Sequence, residues 1–218
     1  RSPFFRSRLS VVALACVTAW ATLGCTGDPL TPVKGAPEAF GPLGDRADLP
    51  VTDRLTIEGL EGPVDVVRDT FGRPHIYATT LNDAMRVEGY LVAKDRTLQL
   101  DFFRRIAEGR LAEVLAGVDP SLIDLDIAYR HIGLERVAKK QYEAMPEGES
   151  KALLDAYADG ITQLFRKIRS KEVRLPDGIF AIDLEGFTDW TAVDSLAVAR
   201  LQQHLLSYSG DEEITAQS

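Results

Sequence analysis

The chain has 218 residues, 45% of them hydrophobic, which is enough for one ordinary domain or two small ones and excludes disorder throughout. Its 25 lysines and arginines against 33 aspartates and glutamates give a net charge of -8, so we do not expect nucleic acid as a partner. Three histidines and two cysteines exclude zinc ribbons, four-cysteine metal clusters and a multi-disulfide framework, because each needs more soft ligands than the chain carries.

The first 24 residues have the pattern of a secretory signal. Three arginines precede an apolar run over residues 9–24, and no acid occurs before Asp28. The run is shorter than the roughly 20 apolar residues that span a bilayer, so a stable transmembrane helix is the weaker interpretation. It ends in Gly24-Cys25, similar to a bacterial lipobox, in which the cysteine is lipidated and becomes the mature amino terminus.

We therefore predict a lipoprotein signal over residues 1–24, lipidation at Cys25 and a periplasmic protein held to the membrane by this lipid anchor. The alternative is ordinary signal cleavage nearby, which leaves Cys25 as a lone thiol or removes it. Residues 25–50 are rich in proline and glycine, a composition that forms no regular element and predicts a tether. The predicted domain follows over residues 51–218.

The domain is predicted to begin with a β-hairpin and to continue as helices. Two short extended segments, 64–68 and 75–78, are joined by the turn residues Asp69-Thr70-Phe71-Gly72. The pattern becomes helical from Asn82 to Gly109, with an apolar stripe at Leu91, Leu98, Phe102 and Ile106. The predicted fold class is thus α+β, predominantly helical, with a short N-terminal hairpin.

Two more helices follow from the pattern. One begins near Glu149 and carries a stripe predicted to lie in the core: Leu153, Leu154, Tyr157, Ile161, Leu164, Phe165 and Ile168. The other begins at Thr191–Asp194, which has the form of a capping box, and runs to about Tyr208.

Many charges lie among the apolar residues of the first long helix. We expect some of them to face inward and form pairs, although a solvated face fits the periodicity equally well. The polar and charged residues of this stretch are Asp95, Arg96, Gln99, Asp101, Arg104, Arg105, Arg110 and Glu113.

The sequence contains no hydrolase motif of its own. Its histidines are far apart, at His75, His131 and His204, and neither a His-Glu-x-x-His pair nor a Gly-x-Ser-x-Gly elbow occurs. A lone histidine is more often a hydrogen-bonded structural residue than a ligand. Paired acids at positions 124 and 126, and at 212 and 213, have the residue types of glycosidase carboxylates, but such pairs are commonplace in an acidic chain.

Several motifs nevertheless resemble, in order and spacing, the start of penicillin acylase precursors. The first two are VDVVRDTFGRPHIYA from Val64 and GYLVAKDRTLQL from Gly89. The others are Arg104-Arg105, GRLAEVL from Gly109, AYADG from Ala156, Leu175-Pro176 and WTAVD from Trp190. The likeness covers nearly everything from Val64 to Glu213. Its departures are small: Lys94 stands where the family usually has glutamine, Arg73 where an aliphatic residue is common and Ala192 where proline often sits.

The resemblance implies the α-chain part of an N-terminal nucleophile hydrolase of αββα fold, whose precursor cuts itself into an α chain, a spacer and a β chain. It implies hydrolysis of a small-molecule amide, with penicillins, other β-lactam amides and acyl-homoserine lactones as open alternatives. In the family the nucleophile, its base and the oxyanion donors belong to the β chain. We therefore read this chain as a truncated precursor, assign it no catalytic residue, and expect it to be inactive without its β-chain partner.

The resemblance also implies a structural calcium site between the two chains. An ungapped count from Trp190 places the family's α-chain ligand on Glu213, and the β chain must supply the other oxygens. The alternative is an exposed glutamate in an acidic turn. The same count places the border of the substrate pocket near Gln203, Leu206 and Ser207, whose types differ from those of the penicillin G enzymes, so the substrate-binding residues and the specificity stay open.

A function of a different class remains open. In that alternative the mature segment is a lipid-anchored, non-catalytic helical interaction module, and the acylase-like motifs survive only as a packing scaffold in a decayed gene. The DNA immediately downstream separates the two. An open reading frame that continues to a processing site followed by Ser, Thr or Cys supports the acylase, and an early stop codon supports the module.

Overall fold

A computed structural model describes residues 51, 54–174 and 187–207. The elements of this part are strands β1 (Asp65–Arg68) and β2 (Pro74–Tyr77) and helices α1 (Leu81–Glu108), α2 (Ala112–Leu115), α3 (Leu122–Ile132), α4 (Leu134–Ala144), α5 (Glu149–Arg169) and α6 (Ala192–Ser207). The predicted class, predominantly helical with a short hairpin, is confirmed. No helix within the described ranges is long and apolar enough to cross a membrane.

The described residues form two compact units, and the smaller one, residues 51, 54 and 66–75, contains the hairpin turn. Asp69 organises this turn, because its Oδ1 accepts hydrogen bonds of 2.9 Å from the amides of Phe71 and Arg73. The left-handed φ of 76° at Gly72 lets the chain reverse. Although burial opposes it, hydrogen bonding from the Arg73 amide and guanidinium lowers the pKa of Asp69 to about 2.

The larger unit, residues 55–65, 76–174 and 187–207, is built on the crossing of α1 and α5. The two backbones approach each other at glycines, one on each helix. A Cβ at Gly160 would lie 2.8 Å from the Tyr90 amide nitrogen, and one at Gly89 would lie 2.9 Å from the Tyr157 carbonyl carbon. Both distances are shorter than any real Cβ contact, so only glycine fits this crossing. Two of the motifs quoted above, GYLVAKDRTLQL and AYADG, therefore meet at one helix contact.

Helix α1 is kinked, and the kink changes which of its faces is buried. Its φ and ψ at Arg96 are -135° and 27°, outside the helical range. Beyond this point the fully buried positions include Thr97, Asp101 and Arg104. The predicted stripe of Leu98, Phe102 and Ile106 is only partly buried, since the kink turns polar positions inward. Gly109 ends the helix as predicted, with a left-handed φ of 66°.

The core of the larger unit has two clusters. The first packs α5 against Phe187 and Trp190, whose rings lie edge-on to Phe165 with centroids 5.2 Å and 6.1 Å away. The C-terminal half of the predicted α5 stripe is thereby confirmed, since Ile161, Leu164, Phe165 and Ile168 are buried. The N-terminal half of the stripe, Leu153, Leu154 and Tyr157, is only partly buried. The second cluster joins α1, α4 and α6 through Ala107, Leu134, Ala138, Ala197 and Leu201.

Helix α6 begins at the predicted capping box. The Thr191 amide donates to Asp194 Oδ2 at 2.7 Å, and the Asp194 amide donates to Thr191 Oγ1 at 3.4 Å. Two side chains thus satisfy amides at the start of the helix. The box fixes where α6 leaves the loop at residues 187–191, next to the charged cluster described below.

Candidate functional site

Seven ionisable side chains join α1 to the start of α6 and to α2. We call them the arginine cluster: Asp101, Arg104, Arg105, Glu108, Arg110, Glu113 and Asp194. At its centre, the Asp101 carboxylate accepts from Arg104 Nη2 at 2.5 Å and from Arg105 Nε at 2.7 Å. All three side chains are at most 4% exposed. The expected inward-facing pairs are thus confirmed for these residues, whereas Asp95 and Arg96 are exposed.

The Arg104 guanidinium contacts two aromatic rings and two backbone carbonyl oxygens, all of which stabilise a buried cation. Its guanidinium lies 5.6 Å from the centre of the Phe165 ring and 5.3 Å from that of the Trp190 ring. Its Nη1 donates to the carbonyl oxygens of Thr188 and Asp189, both at 3.3 Å. Arg104 therefore ties α1 to the segment that leads into α6.

Glu108 stands out among the acids of the cluster. Burial, together with the nearby charge of Asp194, raises the pKa of Glu108 to about 7, against the effect of Arg104 and Arg110. Its carboxyl accepts from Arg110 Nη1 at 2.8 Å. Hydrogen bonding from Arg110 lowers the pKa of Glu113, the acid at the other end of the same guanidinium. The pKa values of two acids that bind the same arginine are therefore shifted in opposite directions.

A surface cleft of about 380 Å³ lies between α4, α5 and the start of α6. Its lining includes Tyr142, Asp155, Asp159, Thr162, Arg166, Asp189, Trp190 and Thr191. The acids of this cleft are engaged with neighbouring side chains. Asp155 accepts from Tyr142 Oη at 2.7 Å, and Asp159 accepts from Arg86 Nε at 2.9 Å and Gln163 Nε2 at 2.8 Å.

Asp189 is the most strongly bonded acid of the cleft. Its Oδ2 accepts from Arg166 Nη2 at 2.5 Å and its Oδ1 accepts from Arg169 Nη2 at 2.6 Å. The hydrogen bond from Arg166 lowers the pKa of Asp189, although partial burial opposes it. Because these carboxylates are already paired with cations, amides or a phenol, the cleft has the character of a structural contact rather than of a catalytic centre.

The residues predicted to border a substrate pocket lie on the last two turns of α6. Gln203, Leu206 and Ser207 are all exposed, and the Leu206 side chain is 85% exposed. Gln203 Oε1 accepts from Arg200 Nη1 at 3.2 Å, and Arg200 also donates to Gln141 Oε1 of α4 at 2.7 Å. The structure thus groups the three residues at one helix end.

The other predicted site residues lie outside the described part of the chain. These are the lipidation site Cys25 and the calcium ligand Glu213, together with the signal and the tether. Both assignments stay predictions. Among residues 54–174 and 187–207, no group of three or more His, Cys, Asp or Glu side chains is placed to hold a metal ion.

The histidines do not come together. His75 Nε2 lies 3.5 Å from Asp69 Oδ2 in the hairpin turn. His131 Nδ1 is 2.7 Å from the Ile127 carbonyl oxygen within α3, and the His204 ring lies edge-on to Tyr129 at 6.1 Å. Each is engaged locally, as expected of structural histidines.

Asp126, a member of the acidic pair at positions 124 and 126, has a structural role. Its two carboxylate oxygens accept from the amides of Leu111 and Ala112, each at 2.8 Å, at the start of α2. Sequence reasoning missed this role and the contact of Glu108 with Asp194, because both join residues distant in sequence. The sequence offered one indication for Asp126: it stands between Leu125 and Ile127, in an apolar stretch where an acid can be buried.

Comparison with known proteins assigns the family. The family model described as Penicillin amidase matches residues 63–218. The penicillin acylase 2 proenzyme of Pseudomonas sp. strain SE83 is 34% identical over 151 residues, which are 69% of this chain and 18% of that protein. The acyl-homoserine lactone acylase QuiP of Pseudomonas syringae pv. tomato is 33% identical over 170 residues, 77% of this chain and 19% of that protein. The chain thus spans about a fifth of the length of these relatives.

A solved structure resembles part of this fold. The thermostable penicillin G acylase from Alcaligenes faecalis, in its tetragonal form, matches with a TM-score of 0.53 and 26% identity, over 62% of this chain and 69% of that chain. This likeness confirms the predicted relation to the N-terminal nucleophile hydrolase fold. With the family model matching well over half of its length, the chain belongs to the penicillin amidase family.

Proposed function

We propose that this chain is the N-terminal part of an amidohydrolase that removes an acyl group from a small amide after its precursor has cut itself into two chains. The observation that carries the proposal is the family match over residues 63–218. The names of the relatives, a penicillin acylase proenzyme and an acyl-homoserine lactone acylase, give the class of reaction. Because the chain spans 18% and 19% of these relatives, most of such an enzyme lies beyond it.

In this proposal the β chain of the same precursor supplies the nucleophile, its base and the oxyanion donors. An N-terminal Ser, Thr or Cys is activated by its own unprotonated amine, so no histidine or aspartate of this chain is needed. The paired state of Asp101, Arg104 and Arg105 supports a scaffold role for the helices. Arg104 also donates to the carbonyl oxygens of Thr188 and Asp189, just before α6, and in this proposal α6 carries the residues that border the substrate.

The substrate is an N-acyl compound whose acyl group meets the last two turns of α6. Gln203, Leu206 and Ser207 border it in this proposal, and the 85% exposed Leu206 offers apolar surface to an acyl chain. Penicillins, other β-lactam amides and acyl-homoserine lactones all carry such a group. The names of the relatives include both a penicillin acylase and a homoserine lactone acylase, so both classes belong in the test.

Calcium and the lipid anchor complete the proposal. Glu213 supplies one hard oxygen to a structural calcium ion whose six to eight oxygens come mostly from the β chain. Lipidation at Cys25 would place the enzyme in the periplasm, where it meets substrates that have crossed the outer membrane.

The test is expression of the complete gene, followed by assays with a phenylacetyl anilide and with decanoyl-homoserine lactone. We expect a processed, two-chain protein that releases the amine from at least one of the two substrates. The control is the 218-residue chain alone, which should release neither. Turnover by the 218-residue chain alone would contradict the assignment of the catalytic groups to the β chain. A processed two-chain protein that hydrolyses no N-acyl substrate would contradict the proposed activity.

A further inference from the structure

The segment that precedes the hairpin in sequence is bound to α5 through its backbone. We call residues 56–62 the N-terminal strap. Gln163 Oε1 accepts from the Glu58 amide at 2.7 Å, and Gln163 Nε2 donates to the Glu58 carbonyl oxygen at 3.0 Å. This two-bond pairing is the one that a neighbouring antiparallel strand makes. One turn further along α5, Lys167 Nζ donates to the Thr56 carbonyl oxygen. Helix α5 therefore binds backbone groups in the first half of the strap.

Helix α1 binds the second half of the strap. The Asp83 carboxylate accepts from two successive amides, that of Glu61 at 3.0 Å and that of Gly62 at 3.2 Å. Asp83 is 0% exposed, so these amides stabilise a charge that water does not reach. Arg86 Nη1 donates to the Gly59 carbonyl oxygen. Together the two helices bind three carbonyl oxygens and three amide groups of the strap.

Two positions of the strap add a requirement on residue type. The Ile57 side chain packs against the first core cluster, and Gly59 has a left-handed φ of 74°. The residues Thr56, Glu58 and Glu61, in contrast, are exposed. The strap is therefore bound through its backbone, one aliphatic side chain and a glycine at its turn.

The side chains that bind the strap are positioned by other residues of the two helices. We call these side chains the strap groove: Asp83, Arg86, Gln163 and Lys167. Asp159 Oδ2 accepts from Arg86 Nε at 2.9 Å and from Gln163 Nε2 at 2.8 Å, so it links α1 to α5 within the groove. Lys167 Nζ lies 5.1 Å from the centre of the Tyr90 ring. Because these contacts do not involve the strap, the groove is preorganised for a ligand.

We propose that the strap groove is a binding site for a short peptide, and that residues 56–62 are the segment of this chain that occupies it. In such sites, hydrogen bonds to main-chain groups supply the affinity and a few side-chain contacts supply the selectivity. The ligand is a peptide with two adjacent free amides, a glycine at its turn and an aliphatic residue two positions before that glycine. The groove uses no residue assigned to the substrate pocket, so this site is a property beyond the proposed acylase activity.

The test uses the full-length protein without residues 26–62, to which a fluorescent peptide of residues 55–63 is added. Fluorescence polarisation should show saturable binding. A peptide that is N-methylated at Glu61 and Gly62 lacks two donors to a buried carboxylate and should bind at least about tenfold more weakly. The matched control peptide carries Glu58→Ala, which removes an exposed side chain and should bind as well as the native sequence. No binding by the native peptide, or equal binding by the methylated peptide, would overturn the proposal.

The complete chain provides a second test that does not require a truncated protein to fold. In hydrogen exchange of the full-length protein, the amides of Glu61 and Gly62 should be protected, and Asp83→Asn should raise their exchange rate by at least about tenfold. The control Glu88→Gln removes an exposed charge from the same helix and should leave both amides protected. Unprotected amides in the wild type, or equal exchange in the two variants, would contradict binding of the strap by the groove.

Discussion

The helix crossing of α1 and α5 permits a sharp test of the packing described above. In Gly160→Ala, the added carbon would lie 2.8 Å from the Tyr90 amide nitrogen, 2.9 Å from the Arg86 carbonyl carbon and closer still to the Arg86 carbonyl oxygen. All three atoms belong to the backbone of α1. They cannot move away by a change of rotamer, so the two helices must separate by about 1 Å to regain ordinary contact distances.

The expected cost follows from two opposing effects. Overpacking of a rigid core costs about 1–3 kcal/mol and occasionally more, and contact with three backbone atoms of α1 places this site at the upper end. Alanine is a better helix former than glycine by about 1 kcal/mol, which offsets part of the loss. We therefore expect Gly160→Ala to lower the free energy of unfolding by about 2 kcal/mol. For a domain of this size that corresponds to a fall in melting temperature of about 4–8 °C.

The assay is urea unfolding and thermal melting of the purified chain, with Gly117→Ala as control. A Cβ at Gly117 meets no atom within 4 Å, so its stability should change by less than about 0.5 kcal/mol. Gly89→Ala widens the same crossing from the other side, since its Cβ would meet the Tyr157 backbone. The double variant should therefore lose less than the sum of the two single losses. A stability of Gly160→Ala equal to that of Gly117→Ala would refute the close crossing.

Three further predictions concern the charged residues. Asp101→Asn strands Arg104 and Arg105 and should cost about 3–5 kcal/mol in urea unfolding, whereas the exposed Glu143→Gln should cost almost nothing. Because the folded state raises the pKa of Glu108 from 4.5 to about 7, its stabilising contribution is complete below about pH 4.5 and is lost as the pH rises through 7. Unfolding at pH 5 and pH 8 should therefore show a smaller fall in stability for Glu108→Gln than for wild type, and equal falls would contradict the raised pKa. Asp126→Ala removes two hydrogen bonds to amides at the start of α2 and should cost about 1–2 kcal/mol, with faster amide exchange at residues 111 and 112; unchanged exchange would argue against the cap.

The elements that the sequence predicted well are those specified by nearby residues. Asp69 and Gly72 make the hairpin turn through contacts no more than four residues apart. Thr191 and Asp194 cap α6 within a single turn. The apolar period of α5 is regular, so the sequence alone predicts that its C-terminal half lies in the core, where the structure places it.

The elements that the sequence did not predict depend on distant contacts. Helix α3 buries Asp126 together with Leu122 and exposes Ile123 and Ile127, so its apolar residues alone do not identify the buried face. The kink at Arg96 turns Asp101 and Arg104 inward, and periodicity could not decide between an inward and a solvated face. The motifs show which family this chain resembles, but only the structure shows that Gly89 and Gly160 allow the backbones of α1 and α5 to approach closely.

The candidate site could be predicted only in part. The resemblance predicts a pocket border near Gln203, Leu206 and Ser207, and the structure places these three residues on the last two turns of α6. Under the proposed function, the acyl specificity would also depend on groups of the β chain that face these residues. Glu213 and Cys25 remain predictions from the sequence, since both lie outside the described residues.

The composition of the protein made from the complete gene shows whether this chain is the N-terminal part of a self-processing acylase. Intact mass spectrometry and N-terminal sequencing of the purified product measure that composition. We predict two chains, one containing residues 63–207 and a second, longer one that begins with Ser, Thr or Cys. A gene that stops shortly after residue 218, or a single uncut chain that hydrolyses N-acyl substrates, would contradict it.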